Sequence, residues 1–188
     1  MKLVSVDEGN IYVVASQQQV EQTKRDKLAG VEKFAVAPGD PVVIVGGGAA
    51  AVSCAETLRH EAFQQRIVVV SQEDTLPYDR PKLSKAPGTP TDSLLLRPAD
   101  YYARIGVDFV LGVSASGLKS SEKLVVLSNG DELRYGHLVV CTGGTPRRLT
   151  CAGAELDNIC YLRSPHDGQR IAQTTRGKRV VVVGSSFI

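Results

Sequence analysis

The sequence predicts an α/β fold: a dinucleotide-type βαβ unit, then a three-stranded β-meander, then the first strand of a second such unit. Three observations predict it. Residues 42–45 are a short β-branched run that enters Gly46-Gly47-Gly48-Ala49-Ala50-Ala51, a G-x-G-x-x-A turn. A helical pattern over residues 51–60 and a second strand over 66–71 follow at once, the context such a turn requires. Later, residues 113–118, 123–127 and 132–134 are short strands separated by Lys-Ser-Ser-Glu and Asn-Gly-Asp turns.

The chain opens on a hairpin. Residues 2–15 alternate, turn at Asp7-Glu8-Gly9-Asn10 and alternate again. A two-stranded hairpin is marginal alone, so it packs on something else or is the remnant of another domain. Residues 16–40 are polar, carry both signs of charge and end in Pro38-Gly39-Asp40. They read as a linker, with a frayed helix in the front half.

In the βαβ unit each small residue has its own job. Gly46 permits the tight exit from the strand. Gly48, without a Cβ, lets backbone approach a pyrophosphate. Ala51 lets helix and strand pack closely. The helix N-terminus presents free N–H groups and a positive dipole end. An acid is wanted after the second strand, to accept from a ribose hydroxyl. Gln72, Glu73 and Asp74 stand there, with Glu73 the best placed.

The loop over residues 72–97 holds four prolines, and a loop of that length in a compact domain usually serves a site. Its stretch Tyr78-Asp79-Arg80-Pro81-Lys82-Leu83-Ser84-Lys85 reads two ways. It is a solvated charge run, or Arg80 and Lys85 meet a phosphate or an electron-rich ring. Pro98 and Gly106 bracket a short helix, and residues 107–111 form a strand ahead of the meander. Residues 137–141 form a buried-type strand that ends in Thr142-Gly143-Gly144, which permits ligand approach at the carboxyl edge of a parallel sheet. Residues 161–163 form a short strand. Ser164 caps a helix from Pro165 to about residue 175. Residues 179–183 form an apolar strand entering Gly184-Ser185-Ser186, an unfinished βαβ unit. That pattern is expected of a fragment.

Composition excludes several functions. The 188 residues carry a net charge of +2, which gives no reason to expect a nucleic-acid partner. No apolar run approaches the roughly 20 residues of a membrane helix, and there is no basic-then-apolar leader. Cys54, Cys141, Cys151 and Cys160 make no C-x-x-C pair and read as reduced and structural. His60, His137 and His166 have no ligand spacing, so no metal site is expected.

Taken together, GGGAAA, LPYDRPKLSK, the meander, VVCTGGTPRRL and VVVVGSSFI resemble, in that order, the flavin-dependent pyridine nucleotide oxidoreductases. LPYDRPKLSK resembles the ferredoxin-reductase-like branch that includes the apoptosis-inducing factors, and the match as a whole, with KLVSVDEGNIYVVAS ahead of it, resembles that branch's Rieske-linked form. The resemblance implies a Rossmann-like FAD-binding domain. FAD would take hydride from NAD(P)H and pass electrons to an iron–sulfur domain or protein, in the mitochondrion or the cytoplasm. It implies that residues 1–15 end a Rieske-like domain, 16–40 link, 41–160 begin the FAD domain and 161–188 begin an NAD domain. It implies no catalytic side chain. Gly46, Gly47, Gly48, Ala49 and Ala50 would hold the pyrophosphate, and Gln72 and Glu73 would lie at the adenosine ribose. Arg80 and Lys85 would face the flavin, and Ala115 the adenine. Thr142 and Gly143 would pass beside the cofactor, and Arg163 would reach it. Two departures stand out. Serine replaces the second glycine of the NAD turn, and these 188 residues are expected to lack the rest of the NAD domain and the second piece of the family's flavin domain. A non-catalytic FAD-binding fragment or regulatory isoform is therefore the alternative expectation.

Overall fold

The structure, a computed structural model, describes residues 3–7, 10–14, 16 and 33–184. The chain divides into two compact units, residues 1–30 and 31–188.

The first unit contains the expected hairpin. Strands β1 (Leu3–Asp7) and β2 (Asn10–Val14) pair antiparallel, with Asp7 opposite Asn10. The frayed helix expected in the linker lies outside the described residues.

The second unit is built on a parallel sheet. Strand β3 (Ala37–Val45) leads into helix α1 (Ala49–His60), which leads into β4 (Gln65–Ser71). After a long loop come a short helix α2 (Lys82–Lys85), a 3-10 turn, helix α3 (Ala99–Arg104) and strand β5 (Val107–Leu111). The antiparallel sheet β6 (Ala115–Lys119), β7 (Leu124–Leu127) and β8 (Glu132–Arg134) is the expected meander. Strand β9 (His137–Val140) returns to the parallel sheet, whose order is β5-β4-β3-β9. Helix α4 (Pro165–Thr175) ends the described elements.

The first parallel strand starts five residues before its apolar run. Pro38-Gly39-Asp40 lies inside β3 instead of ending a linker, and the strand shifts register between Ala37 and Val42 to admit it. Phe34 N–H also donates to the Arg104 carbonyl, which docks the segment before β3 onto the end of α3.

Alternation assigns the two sheet faces. Val43, Val45 and Val70 pack against Val125, Leu127 and Tyr135, so the meander covers one face. Val42, Ile44, Ile67 and Val69 point the other way and are equally buried. On that side Tyr102 of α3 meets Phe109 edge-on at 4.8 Å. Each such side chain contributes about 1.5–3 kcal/mol by leaving water.

Arg59 closes this layer. It is 2% exposed, and its guanidinium donates to the carbonyls of Ile105, Phe63, Gln65 and Gly106 while lying over the Phe34 ring. A charge that deep is tolerable only with its donors satisfied. Burial pushes its pKa down, against the opposing influence of Asp108.

Three expected strands differ in the structure. Residues 161–163 form no strand, because they serve as the lead-in to α4. Residues 179–183 also form none; Val181, Val182 and Val183 are 89%, 80% and 81% exposed. A β-branched run becomes a strand only when a neighbour takes its backbone hydrogen bonds, and no described strand pairs with it. Strand β9 is real but only half-covered. It pairs with β3 alone among the described strands, and Val140 is 67% exposed. A continuous apolar run suggested burial on both faces, but that requires covering layers the described residues do not supply.

Candidate dinucleotide site

The glycine turn sits where β3 ends, between the ends of β4 and β9. Gly46 N–H donates to Val70 O at 2.8 Å, and Cys141 N–H donates to Val45 O at 2.7 Å. These bonds hold the three strand ends together. Gly46 has φ +118°, and a Cβ there would stand 2.1 Å from the Cys141 carbonyl oxygen. A Cβ at Gly47 would stand 2.4 Å from Ser71 Oγ. At Gly48 a Cβ would meet nothing within 4 Å. The first two glycines are therefore required by the sheet, whereas the third faces open space.

Open space beside a helix start is suited to a ligand. Gly48 is the N-cap of α1, with no side-chain cap bond and no acid in the first turn. Ala49 and Ala50 are exposed there, while Ala51 is fully buried, as the small third position of the motif demands. The first-turn N–H groups and dipole end are left for an anion. Helix α4 is the opposite case. Its capping box is closed, with Ser164 Oγ accepting from Asp167 N–H and Asp167 Oδ2 accepting from Ser164 N–H. Burial raises the Asp167 pKa, but the hydrogen bonds from Ser164 and the Arg163 N–H outweigh it and hold the carboxyl below its ordinary value. An anion is already in place at α4. The α1 turn fits the pyrophosphate of a dinucleotide such as FAD.

Beyond β4, Gln72 is exposed and Glu73 is half-buried. The Glu73 carboxylate is engaged on both oxygens: Oε1 with Arg80 Nη2 at 2.6 Å, and Oε2 with the Tyr78 hydroxyl at 2.6 Å. Arg80 Nη1 donates to the Tyr78 hydroxyl and to the Arg163 carbonyl. Glu73 and Arg80, expected at opposite ends of a cofactor, are thus joined to each other. Arg163 Nη2 would be 3.3 Å from a Cβ on Gly143, which has φ +70°. The structure therefore brings Glu73, Arg80, Arg163 and Gly143 into one group. Thr142 and Gly143 are exposed at the exit of β9. Lys85 is exposed at the end of α2, where its Nζ donates to Ser84 Oγ. Ala115 lies apart in β6, paired with Leu127 and packed on the sheet core.

A cleft of about 400 Å³ lies between Gln72–Thr75 and the first turn of α4. Glu73 lines it, but the glycine turn does not. Among the described residues no group of His, Cys, Asp or Glu has the arrangement of a metal site, and no helix is long and apolar enough to cross a membrane.

Sequence reasoning missed the part played by Tyr78 and Asp167. Asp167 was legible, three residues after the Ser164 cap. Tyr78 was not, because its burial among Leu83, Leu94 and Leu162 and its place behind the Arg80–Arg163 contact depend on segments distant in sequence.

The chain matches the pyridine nucleotide-disulphide oxidoreductase family over residues 40–188. It is 36% identical to apoptosis-inducing factor 3 of Homo sapiens, covering 98% of this chain and 31% of that protein. It is 35% identical to rubredoxin-NAD(+) reductase of Pseudomonas putida, covering 78% of this chain and 39% of that protein. Among solved structures it resembles the covalent putidaredoxin reductase–putidaredoxin complex, with TM-score 0.68 and 35% identity. That likeness covers 73% of this chain and 34% of that one. The chain thus spans 31–39% of these curated relatives' length.

Proposed function

The chain belongs to the pyridine nucleotide-disulphide oxidoreductase family, and on that premise we propose that it is the FAD-holding part of an NAD(P)H-dependent oxidoreductase with an iron–sulfur electron acceptor. One observation carries the reading: Gly46 and Gly47 are packed against the sheet, while Gly48 opens onto the uncapped, acid-free start of α1. A structural turn needs the first two features and has no use for the third.

When bound, FAD supplies the chemistry: it takes hydride from NAD(P)H and passes electrons to the acceptor. The protein supplies place and field. Gly47, Gly48, Ala49 and Ala50 would hold the pyrophosphate through backbone N–H groups, while Gly46, whose N–H is taken by the Val70 carbonyl, would shape the turn that presents them. Gln72, with Glu73 behind it, lies at the adenosine ribose; an amide hydrogen-bonds a hydroxyl more weakly than a carboxylate does. Lys85 would provide positive charge on the flavin side, whereas Arg80, paired with Glu73, would neutralise that carboxylate and hold the Arg163 backbone; Ala115 would serve the adenine, and Thr142, Gly143 and Arg163 would line the approach. The rubredoxin reductase among the relatives supports an iron–sulfur acceptor. The likeness to apoptosis-inducing factor 3 over 98% of this chain supports reading the hairpin β1–β2 as the end of a Rieske-like domain, the stretch between that hairpin and Phe34 as a linker and residues 161–188 as the start of an NAD domain. The proposed compartment is the mitochondrion or the cytoplasm.

A second reading is favoured by residues 179–183, which pair with no described strand. On it, the chain holds FAD without turning over NAD(P)H. Two assays test both readings. Purified chain mixed with FAD and passed through gel filtration should keep the visible flavin band; loss of the band from folded protein refutes the FAD site. Steady NAD(P)H oxidation by the loaded chain would then refute the second reading.

A further inference from the structure

Arg163 is held by its backbone from two sides. Its N–H donates to Asp167 Oδ2 at 3.0 Å, and its carbonyl accepts from Arg80 Nη1. Arg80 is fixed in turn. Its Nη2 is paired with Glu73, and its guanidinium lies 4.7 Å from the centre of the Tyr78 ring. Tyr78 is 4% exposed, packed with Leu83 and Leu94 and flanked by Leu95 and Leu162. Its hydroxyl has one proton. That proton goes to Glu73 at 2.6 Å, since the Arg163 carbonyl stands farther off, at 3.4 Å. With the backbone pinned at both N–H and C=O, only the Arg163 side chain is left to adjust, and it already reaches Gly143.

We propose that Tyr78, Glu73 and Arg80 form a positioning clamp that fixes the Arg163 backbone, and so starts its side chain beside Gly143, before the cofactor arrives. This rests on the FAD reading for its purpose but not for its existence. Tyr78 is a positioning residue: it acts through Arg80 on Arg163. Preorganisation of this kind strengthens binding by removing the ordering cost from the binding step.

The test uses the whole chain and the Tyr78→Phe variant, which keeps the ring and removes the hydroxyl. Amide hydrogen exchange is measured without FAD, and FAD affinity separately. One lost hydrogen bond of this class corresponds to about a fivefold change. Exchange at the Arg163 and Ser164 amides should therefore rise about fivefold, while strands β3 and β4 stay protected. FAD affinity should fall by a similar factor. Glu73→Gln keeps an acceptor for Tyr78 but loses the ion pair, and should loosen the same two amides. Unchanged exchange at Arg163 and Ser164 in both variants overturns the clamp. So does uniform loosening of all strands with a lower melting temperature, the signature of a merely structural tyrosine. If wild-type chain keeps no FAD but the two amides loosen as expected, the FAD reading fails and the clamp stands.

Discussion

Alanine at Gly46 and alanine at Gly48 should give opposite results, although the residues are two apart in one motif. At Gly46 the new Cβ would stand 2.1 Å from the Cys141 carbonyl, with the Thr142 N at 3.0 Å. Both are backbone atoms of the adjoining β9 exit, so neither moves without breaking the bond from Cys141 N–H to Val45 O. The φ of +118° adds strain for any side chain. Overpacking costs about 1–3 kcal/mol and the backbone strain about 1–3 kcal/mol. Gly46→Ala should therefore lose roughly 2–6 kcal/mol, a large part of a typical domain's 5–15 kcal/mol. At Gly48 the Cβ enters open space, and only the poorer N-cap preference of alanine remains, about 0.5–1 kcal/mol. The same Cβ would occupy the approach to the α1 N–H groups. Gly48→Ala should therefore fold normally and bind FAD about tenfold or more weakly, about 1.4 kcal/mol. Urea titration followed by circular dichroism measures the first quantity, and flavin fluorescence titration the second. A Gly46→Ala chain as stable as wild type refutes the steric argument. A Gly48→Ala chain with undiminished affinity refutes the placement of the pyrophosphate.

Three further predictions concern single side chains. Arg59→Met keeps the stem but removes donors from four main-chain carbonyls, and should cost about 3 kcal/mol in urea unfolding; a loss below about 1 kcal/mol would contradict the assigned role. Asp167→Asn should cost about 1 kcal/mol through the α4 cap. Because the folded pKa of Asp167 lies below its ordinary value, the cap's contribution is fully present above the unfolded pKa. The wild-type advantage should shrink as pH falls below the ordinary aspartate value of 3.8, and urea midpoints of both chains from pH 7 downward would show it. In FAD-loaded chain, Lys85→Met should make the flavin potential more negative, by about 30 mV if the lysine contributes about 1.4 kcal/mol to the reduced form; an unmoved potential removes Lys85 from the flavin site.

The glycine turn was legible because its causes are local. A β-branched run, three glycines and a helical pattern adjoin in sequence, and the existence of the turn follows from those neighbours, although remote strands set its contacts. The meander was legible for the same reason, since its turns are short. The cap of α4 could be read from Ser164 and Pro165. Arg59 could not. In sequence it is one more cation near a helix end, and only the packing of α1 against α3 and the start of β5 makes it a buried donor to Ile105 and Gly106. Residues 179–183 misled in the other direction, because their composition is that of a strand but no described strand pairs with them.

By itself, then, the sequence determined the α/β class, the order of the elements and the position of the glycine turn, because periodicity and backbone freedom act over a few residues. Tertiary structure decided which glycine faces open space, and that Glu73 and Arg80 hold each other and the backbone of Arg163. Those outcomes depend on where remote segments meet. A carboxylate and a guanidinium bind whichever partner the fold brings within about 3 Å, and sequence spacing carries no record of that distance.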